Sequence, residues 1–378
     1  MNKAERFIRD RLQIRAEIGN LRQLSYTKGL IDFCSNDYLG FARSEQLKTS
    51  IEHTLSQVSN YSNGATGSRR ITGNHSFTEA TEAFIADFHH AESGLLFNSG
   101  YDANVGLISC LGQRGDTIIS DELIHASLID GARLTHANRF TFKHNNLIDL
   151  EGKLKAARGN IYVLVESVYS MDGDTAPLQA IQALCEQHEA NLIVDEAHAL
   201  GIFGNHGIGL VQDLGLENKV FARVVTFGKA LGCHGAIVLG STILRDYLVN
   251  FARSFIYTTA APLHSIAAIK CGYQALMETD HRPTIRKKID LYRSSIADAG
   301  LTASRANDSA IQTVLFNTNE GAKSAALALQ TKGLDVRAIL SPTVPEGKER
   351  IRICLHLFNT DKQIKTLVDE IIHLTPTS

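Results

Sequence analysis

The chain has 378 residues, too many for one small module and enough for two or three packed units around a sizeable core. Hydrophobic residues make up 44% and charged residues 21%, which excludes a disordered, collagen-like or disulfide-dense chain. A formal net charge of -2, from 38 Lys and Arg against 40 Asp and Glu, gives no long-range field to draw nucleic acid, so any anion site must be local.

The amino terminus, Met-Asn-Lys-Ala-Glu-Arg-Phe, reads as a polar helix without an apolar signal core, and no window approaches the roughly 18 uninterrupted apolar residues of a membrane span. From Gly94 onward, short runs of β-branched or aliphatic residues recur at 94–97, 116–119, 161–165, 191–194, 220–225 and 236–239. Unbroken apolarity predicts strands buried on both faces. Helix-like stretches at 101–111, 127–134 and 177–188 lie between them as crossovers, which predicts an α/β unit around a mostly parallel sheet. A long helical stretch follows from Leu263 to Ala299, interrupted at Pro283. The pattern then changes to a strand at 311–316, a helix at 322–330, one strand at 334–339, another at 350–355 and a closing helix. That helix starts with Asp361 as N-cap and carries Ile364, Leu367 and Ile371 on one face. This predicts a small α+β domain. No Pro-rich linker marks a boundary, so pattern alone divides the chain: 1–40 as N-terminal helix and substrate-access segment, 41–280 as large domain, 281–378 as small domain. Six cysteines without a CxxC pair or metal-ligand spacing fit a reduced, cytoplasmic setting.

The most informative stretch is Val194-Asp195-Glu196-Ala197-His198, with Thr226-Phe227-Gly228-Lys229 further on. Acidic residues just past a buried strand stand at the carboxyl edge of a parallel sheet, where open α/β folds bind ligands. Taken alone, Asp195 also reads as a helix N-cap and Lys229 as a solvated loop lysine. Together they describe a chemistry. A lysine set among Gly228, Ala230 and Gly232 can be approached closely, and when partly desolvated it is neutral enough to attack an aldehyde. Pyridoxal phosphate (PLP) needs such a lysine and an acidic partner for its ring nitrogen, a part open to Asp195. Its phosphate needs amides and hydroxyls at a helix start, which Asn98-Ser99-Gly100-Tyr101 offers after its strand. No metal site is expected: His89-His90 reads as a dipole partner at a helix end. The run Gly204 to Gly209 lacks a phosphate-loop lysine and the dinucleotide fingerprint, and Asp172-Gly173-Asp174 likewise reads as a turn.

The motifs, in this order, resemble the α-oxoamine synthase family of PLP enzymes, which has the aspartate-aminotransferase fold. The match runs nearly end to end: Ser35-Asn-Asp-Tyr-Leu-Gly40, Gly64-Ala-Thr-Gly-Ser-Arg69, Gly73, Asn98-Ser-Gly-Tyr101, Asp121 to Ser127, Glu166 to Asp174, Val194-Asp-Glu-Ala-His198, Thr226-Phe-Gly-Lys229 and Pro342-Thr-Val-Pro345. The resemblance implies a PLP-dependent transferase of fold type I, with a large domain on a mostly parallel sheet and a smaller α+β carboxy-terminal domain. It implies Lys229 as the lysine that binds the cofactor and later serves as base, Asp195 against the ring nitrogen, and His125 stacked on the ring. Ser170 and His198 would hydrogen-bond the phenolic oxygen. Gly100, Tyr101 and Thr226 would face the phosphate, joined by Thr258 and Thr259 from the partner subunit of a homodimer.

The implied reaction joins an amino acid to an acyl-CoA with loss of CoA and CO2, giving an α-aminoketone. The resemblance leans to L-alanine and pimeloyl-CoA. Glycine or serine with short or long acyl-CoA esters stays open within the family, and outside it a dinucleotide-binding oxidoreductase or a non-catalytic cofactor-binding module. The amino-acid carboxylate needs a bidentate cation, for which Arg350 and Arg352, on one strand face, are candidates. The resemblance favours Arg352 and adds Arg22, Asn36 and Thr343 as substrate-facing residues. Two departures stand out. Where relatives can carry an arginine just before Pro342-Thr343, this chain has Leu340-Ser341, and the segment between Arg22 and Asn36 is short.

Overall fold

A computed structural model describes residues 2–24, 29–300 and 307–375. The short segment between Arg22 and Asn36 lies partly outside them. The described residues form twelve strands: β1 Ile31–Asp32, β2 Ser93–Phe97, β3 Thr117–Asp121, β4 Asn138–Phe142, β5 Ile161–Glu166, β6 Ala190–Asp195, β7 Ala222–Thr226, β8 Ala236–Gly240, β9 Ile311–Leu315, β10 Leu334–Asp335, β11 Arg337–Ile339 and β12 Arg350–Cys354. Seven make one sheet in the order β2-β8-β7-β6-β5-β3-β4, in which β8 alone runs opposite to the other six. The fold is therefore the mostly parallel, helix-covered sheet expected of a fold type I PLP transferase.

Local chemistry explains the elements. Every residue of β5 is buried, and Val163, Leu164 and Val165 are fully so, each contributing about 1.5–3 kcal/mol by leaving water. The edge strand β4 has only Phe142 buried, and that exposure explains why no apolar run announces it. On one face the helices Gly100–Leu111 and Ala126–Arg133 approach closely at Gly131, where a Cβ would stand 3.0 Å from Ile108 Cβ and 3.1 Å from the Asn104 carbonyl oxygen. This contact brings Asn104 beside Ser127.

The carboxy-terminal part forms an antiparallel sheet, β11-β12-β9, and a parallel pair, β1 with β10. The single strand expected over 334–339 is thus two strands in two sheets. The division falls at Val336, whose carbonyl accepts from Gln330 Nε2 at 2.9 Å and so leaves the ladder. The helical stretch from Leu263 is likewise two helices, Leu263–Glu278 and Arg282–Asp298, and Pro283 sits in the first turn of the second, where its missing N–H costs nothing. The closing helix Asp361–Leu374 is capped by Thr360 in a capping box with Gln363, so Asp361 is a first-turn residue favoured by the helix dipole and not the cap.

His89 also departs from expectation. It is fully buried, shares a 2.9 Å hydrogen bond with the Tyr273 hydroxyl, and is pushed down to about 3 by burial and by nearby Arg223. A neutral ring cannot serve a helix end as a cation, so its part is packing. Among the described residues no cluster of metal-ligating side chains occurs, and no helix is long and apolar enough to cross a membrane.

Candidate active site

The carboxyl ends of β3, β5, β6 and β7 converge on a cleft of about 270 Å³ lined by Asn36, Gly100, Tyr101, His125, Asp195, His198, Thr226 and Lys229. Eight of the expected site residues therefore meet in one place. Asp195 ends β6, is buried, and has both oxygens engaged: Asn104 Nδ2 donates to Oδ2 at 2.7 Å and the Ala197 amide to Oδ1 at 2.9 Å. Asn104 also donates to Ser127 Oγ at 2.9 Å, and that oxygen lies 2.7 Å from His125 Nδ1. Since Nδ1 also receives the Ser127 amide at 3.2 Å, it acts as an acceptor, which places the ring proton on Nε2. Burial lowers the affinity of His125 for a second proton, with Asp195 opposing and Lys229 adding to the effect.

Lys229 follows β7 in a tight loop closed by Gly232 N–H to the Lys229 carbonyl and Cys233 N–H to the Phe227 carbonyl, both at 2.8 Å. Burial drives its ammonium toward the neutral amine, against the opposing charges of Asp195 and Glu166. His198 Nδ1 and the buried Tyr38 hydroxyl are 2.7 Å apart, and burial, with Lys229 and Arg352 nearby, pushes this imidazole well below its ordinary range.

At the other end of the cleft, the helix Gly100–Leu111 begins behind its Ser99 cap. A Cβ on Gly100 would lie 2.5 Å from Thr226 Cγ2, and Thr226 Oγ1 is buried with no hydrogen-bond partner in the protein. A helix start, a floor open only to glycine and an orphaned hydroxyl suit a phosphate. With Lys229 and Asp195 placed as they are, the residues present fit PLP.

The remaining candidates are spread more widely. Ser170 lies in the wall of a second cavity of about 680 Å³, which shares His125 with the cleft and is also lined by Arg22, Thr343, Lys348 and Arg350. Arg22 donates to Thr343 Oγ1 at 3.4 Å. Arg352 donates to Asn36 Oδ1 at 2.9 Å and to the Ser170 carbonyl at 2.8 Å, whereas Arg350 is ion-paired with buried Asp172. Thr258 and Thr259 do not line the cleft of their own chain. They receive Asn98 Nδ2, at 3.1 Å on the Thr258 hydroxyl and 2.8 Å on the Thr259 carbonyl, beside a separate pocket of about 30 Å³.

Sequence reasoning left out Glu166, Asn104, Ser127 and Tyr38. A signal existed for Asn104, a polar residue between Ala103 and Val105 one turn into a largely apolar helix, and for Glu166, a carboxylate ending an unbroken apolar strand.

The sequence matches the family described as Aminotransferase class I and II over residues 28–371, so the chain belongs to that family. It is 43% identical to 8-amino-7-oxononanoate synthase of Emericella nidulans over 365 residues, covering 90% of this chain and 88% of that protein. The Lysinibacillus sphaericus protein of the same name is 37% identical over 347 residues, covering 91% and 88%. Among solved structures, Sphingomonas wittichii serine palmitoyltransferase superposes with a TM-score of 0.89 at 28% identity, covering 99% of this chain and 97% of that one. The 8-amino-7-oxononanoate synthase of Francisella tularensis gives 0.79 at 27%, covering 92% and 98%. Within the aminotransferase family, then, the chain is a PLP-dependent acyltransferase similar to 8-amino-7-oxononanoate synthase, of the kind that condenses an amino acid with an acyl-CoA. The dinucleotide-binding oxidoreductase alternative is displaced by that family membership.

Proposed function

We propose that the chain condenses L-alanine with pimeloyl-CoA, releasing CoA and CO2 and forming 8-amino-7-oxononanoate, a step of biotin synthesis. The observation that carries this reading is the arrangement of two cavities: a cleft built around Lys229 and Asp195 shares His125 with a larger cavity in which Arg22 and Thr343 stand together. A chain of several methylenes fits such a cavity, and a terminal carboxylate needs a cation such as Arg22 at its far end.

Bound PLP supplies an electron sink for charge developing at the α-carbon of the amino acid. The protein's part is to place and protonate. Lys229, held toward its neutral form by burial, takes the α-proton. Asp195, with an N–H donor on each oxygen, would face the ring nitrogen, and the Gly100 helix start with Thr226 would hold the phosphate. His125, locked by Ser127 with its ring proton on Nε2, stands in the shared wall of the two cavities, where the thioester carbonyl would lie. Arg352 is the clamp for the amino-acid carboxylate, since Arg350 is already paired. In a homodimer, Thr258 and Thr259 of each chain would reach the partner's phosphate site. The six unpaired cysteines fit a reducing cytoplasm.

A second reading, an acyltransferase acting on serine or glycine, is favoured by the serine palmitoyltransferases among the solved structures, with TM-scores up to 0.90. Product analysis by mass spectrometry separates the two. The protein is incubated with alanine, glycine or serine and a panel of acyl-CoA esters. The amino-oxononanoate product is expected to dominate, and preferential turnover of serine or glycine with another ester would replace the first reading by the second.

A further inference from the structure

Glu166 is the last residue of β5, and Asp195 the last of β6; the two are paired directly across the parallel ladder, so both side chains leave the same face of the sheet. Both are buried, at 2% and 4% exposure, and both line the cleft. Two carboxylates side by side away from water cannot both stay charged at low cost, and their partners decide which keeps the proton. Asp195 receives an N–H on each oxygen. Glu166 receives one at full hydrogen-bond geometry, the Ser170 amide on Oε2 at 3.2 Å, with the His125 amide close by, while its Oε1 is buried without a hydrogen-bond partner in the protein. The proton therefore resides on Glu166. Burial and then the Asp195 charge raise this carboxyl to about 8, with Lys229 and the His125 and Ser170 amides opposing. Glu196, Glu217 and Glu349 also hold a buried carboxyl oxygen without a hydrogen-bond partner, but of these four glutamates Glu166 alone lines the cleft where PLP fits.

We propose that Glu166 is a further cofactor-contacting residue of this reaction: its Oε1 donates a hydrogen bond to the bound PLP, on the side flanked by Ser170. As a neutral donor it stabilises negative charge on the cofactor without adding a second anion beside Asp195. Once deprotonated it becomes an acceptor and adds that anion. The groups facing it are Asp195 from β6, Lys229 from the loop after β7, and the Ser170 and His125 backbones from the loops after β5 and β3. The inference needs bound PLP, and it holds whichever amino acid and acyl-CoA are used.

The test follows the visible absorption band of the PLP-loaded protein from pH 6 to 10 in wild type, Glu166→Gln and Glu166→Ala, with thermal melting to confirm folding. Glutamine keeps a neutral donor that cannot titrate. In wild type the band should change with a midpoint near 8, and in Glu166→Gln it should hold the wild-type low-pH form throughout. Glu166→Ala should lose about a hundredfold in kcat, with the glutamine variant recovering much of that. A Glu166→Gln protein that titrates like wild type, or that matches Glu166→Ala in both spectrum and kcat, overturns the proposal. If neither variant folds, infrared difference spectra of wild type between pH 7 and pH 10 decide: a protonated-carboxyl stretch that shifts but persists on PLP binding and is lost with rising pH supports it, and no such stretch, or its loss on PLP binding, overturns it. A failure here leaves the substrate assignment untouched, because product analysis does not involve this band.

Discussion

Arg350 and Arg352 stand two residues apart on one face of β12, and their neighbours give them different work. Arg350 meets the buried Asp172 carboxylate and the Lys348 carbonyl, so Arg350→Ala strands a buried charge and should cost about 3 kcal/mol in urea unfolding. Arg352 grips Asn36 and the Ser170 carbonyl beside the cleft, and Arg352→Ala should instead raise KM for the amino acid, by about 1.5–3 kcal/mol in kcat/KM. If Arg350→Ala gives the larger KM effect, the assignment is reversed. His144 makes a different kind of prediction. Burial would lower it, but hydrogen bonds to Asp121 and Asp174 raise it to about 9. Its contribution to stability is therefore complete below about pH 6.5 and is lost as pH rises through 9. Unfolding midpoints of wild type and His144→Gln should converge across that window, and parallel curves would sink the assignment. Subtracting the curves separates His144 from Glu166, whose contribution fades over a lower range, from about 4.5 to about 8. At this scale Lys229, Asp195 and His198 were legible because each ends or follows an apolar strand. Tyr38 and Ser127 were not, since their work depends on partners 160 and 23 residues away.

The helix Gly100–Leu111 shows how an element delivers chemistry: its start faces the expected phosphate, and one turn later Asn104 reaches Asp195. Gly100→Ala places a methyl 2.5 Å from Thr226 Cγ2, and overpacking of that kind costs about 1–3 kcal/mol. The cost should appear as PLP affinity weakened about tenfold or more in equilibrium dialysis, with the melting temperature of the PLP-free protein little changed. An unaltered affinity would mean that the phosphate sits elsewhere. Strands β5, β6 and β7 were readable because burial on both faces leaves an unbroken apolar run. Exposed β4 left none, and the break between β10 and β11 depends on Gln330 taking the Val336 carbonyl, which no local pattern encodes.

For the whole molecule, the exposed Tyr257, 73% accessible, beside Thr258 and Thr259 marks a face that a second copy would cover in a shared-site dimer. Lys229→Ala and a Thr258→Ala/Thr259→Ala double variant, each inactive alone, should recover activity when mixed and allowed to exchange subunits. No recovery despite verified exchange would count against shared sites. The sequence carried the mostly parallel sheet and the separate carboxy-terminal pattern, but not that β1 joins β10 or that Asn36 is held by Arg352, 316 residues later. That closure has a consequence for biosynthesis. At about 5–20 residues per second, the segment from Phe33 to Leu39 waits roughly 15–60 s on the ribosome before β12 is made. Tyr38 and Leu39 find His198 and Gly201 earlier, but Phe33, fully buried in the finished protein and with its backbone paired to Asp335 and Cys354, waits for that time. The nascent chain thus completes its cofactor cradle well before its substrate clamp, and slow codons beyond residue 240 prolong an interval in which a holdase chaperone has the Phe33 side chain to bind.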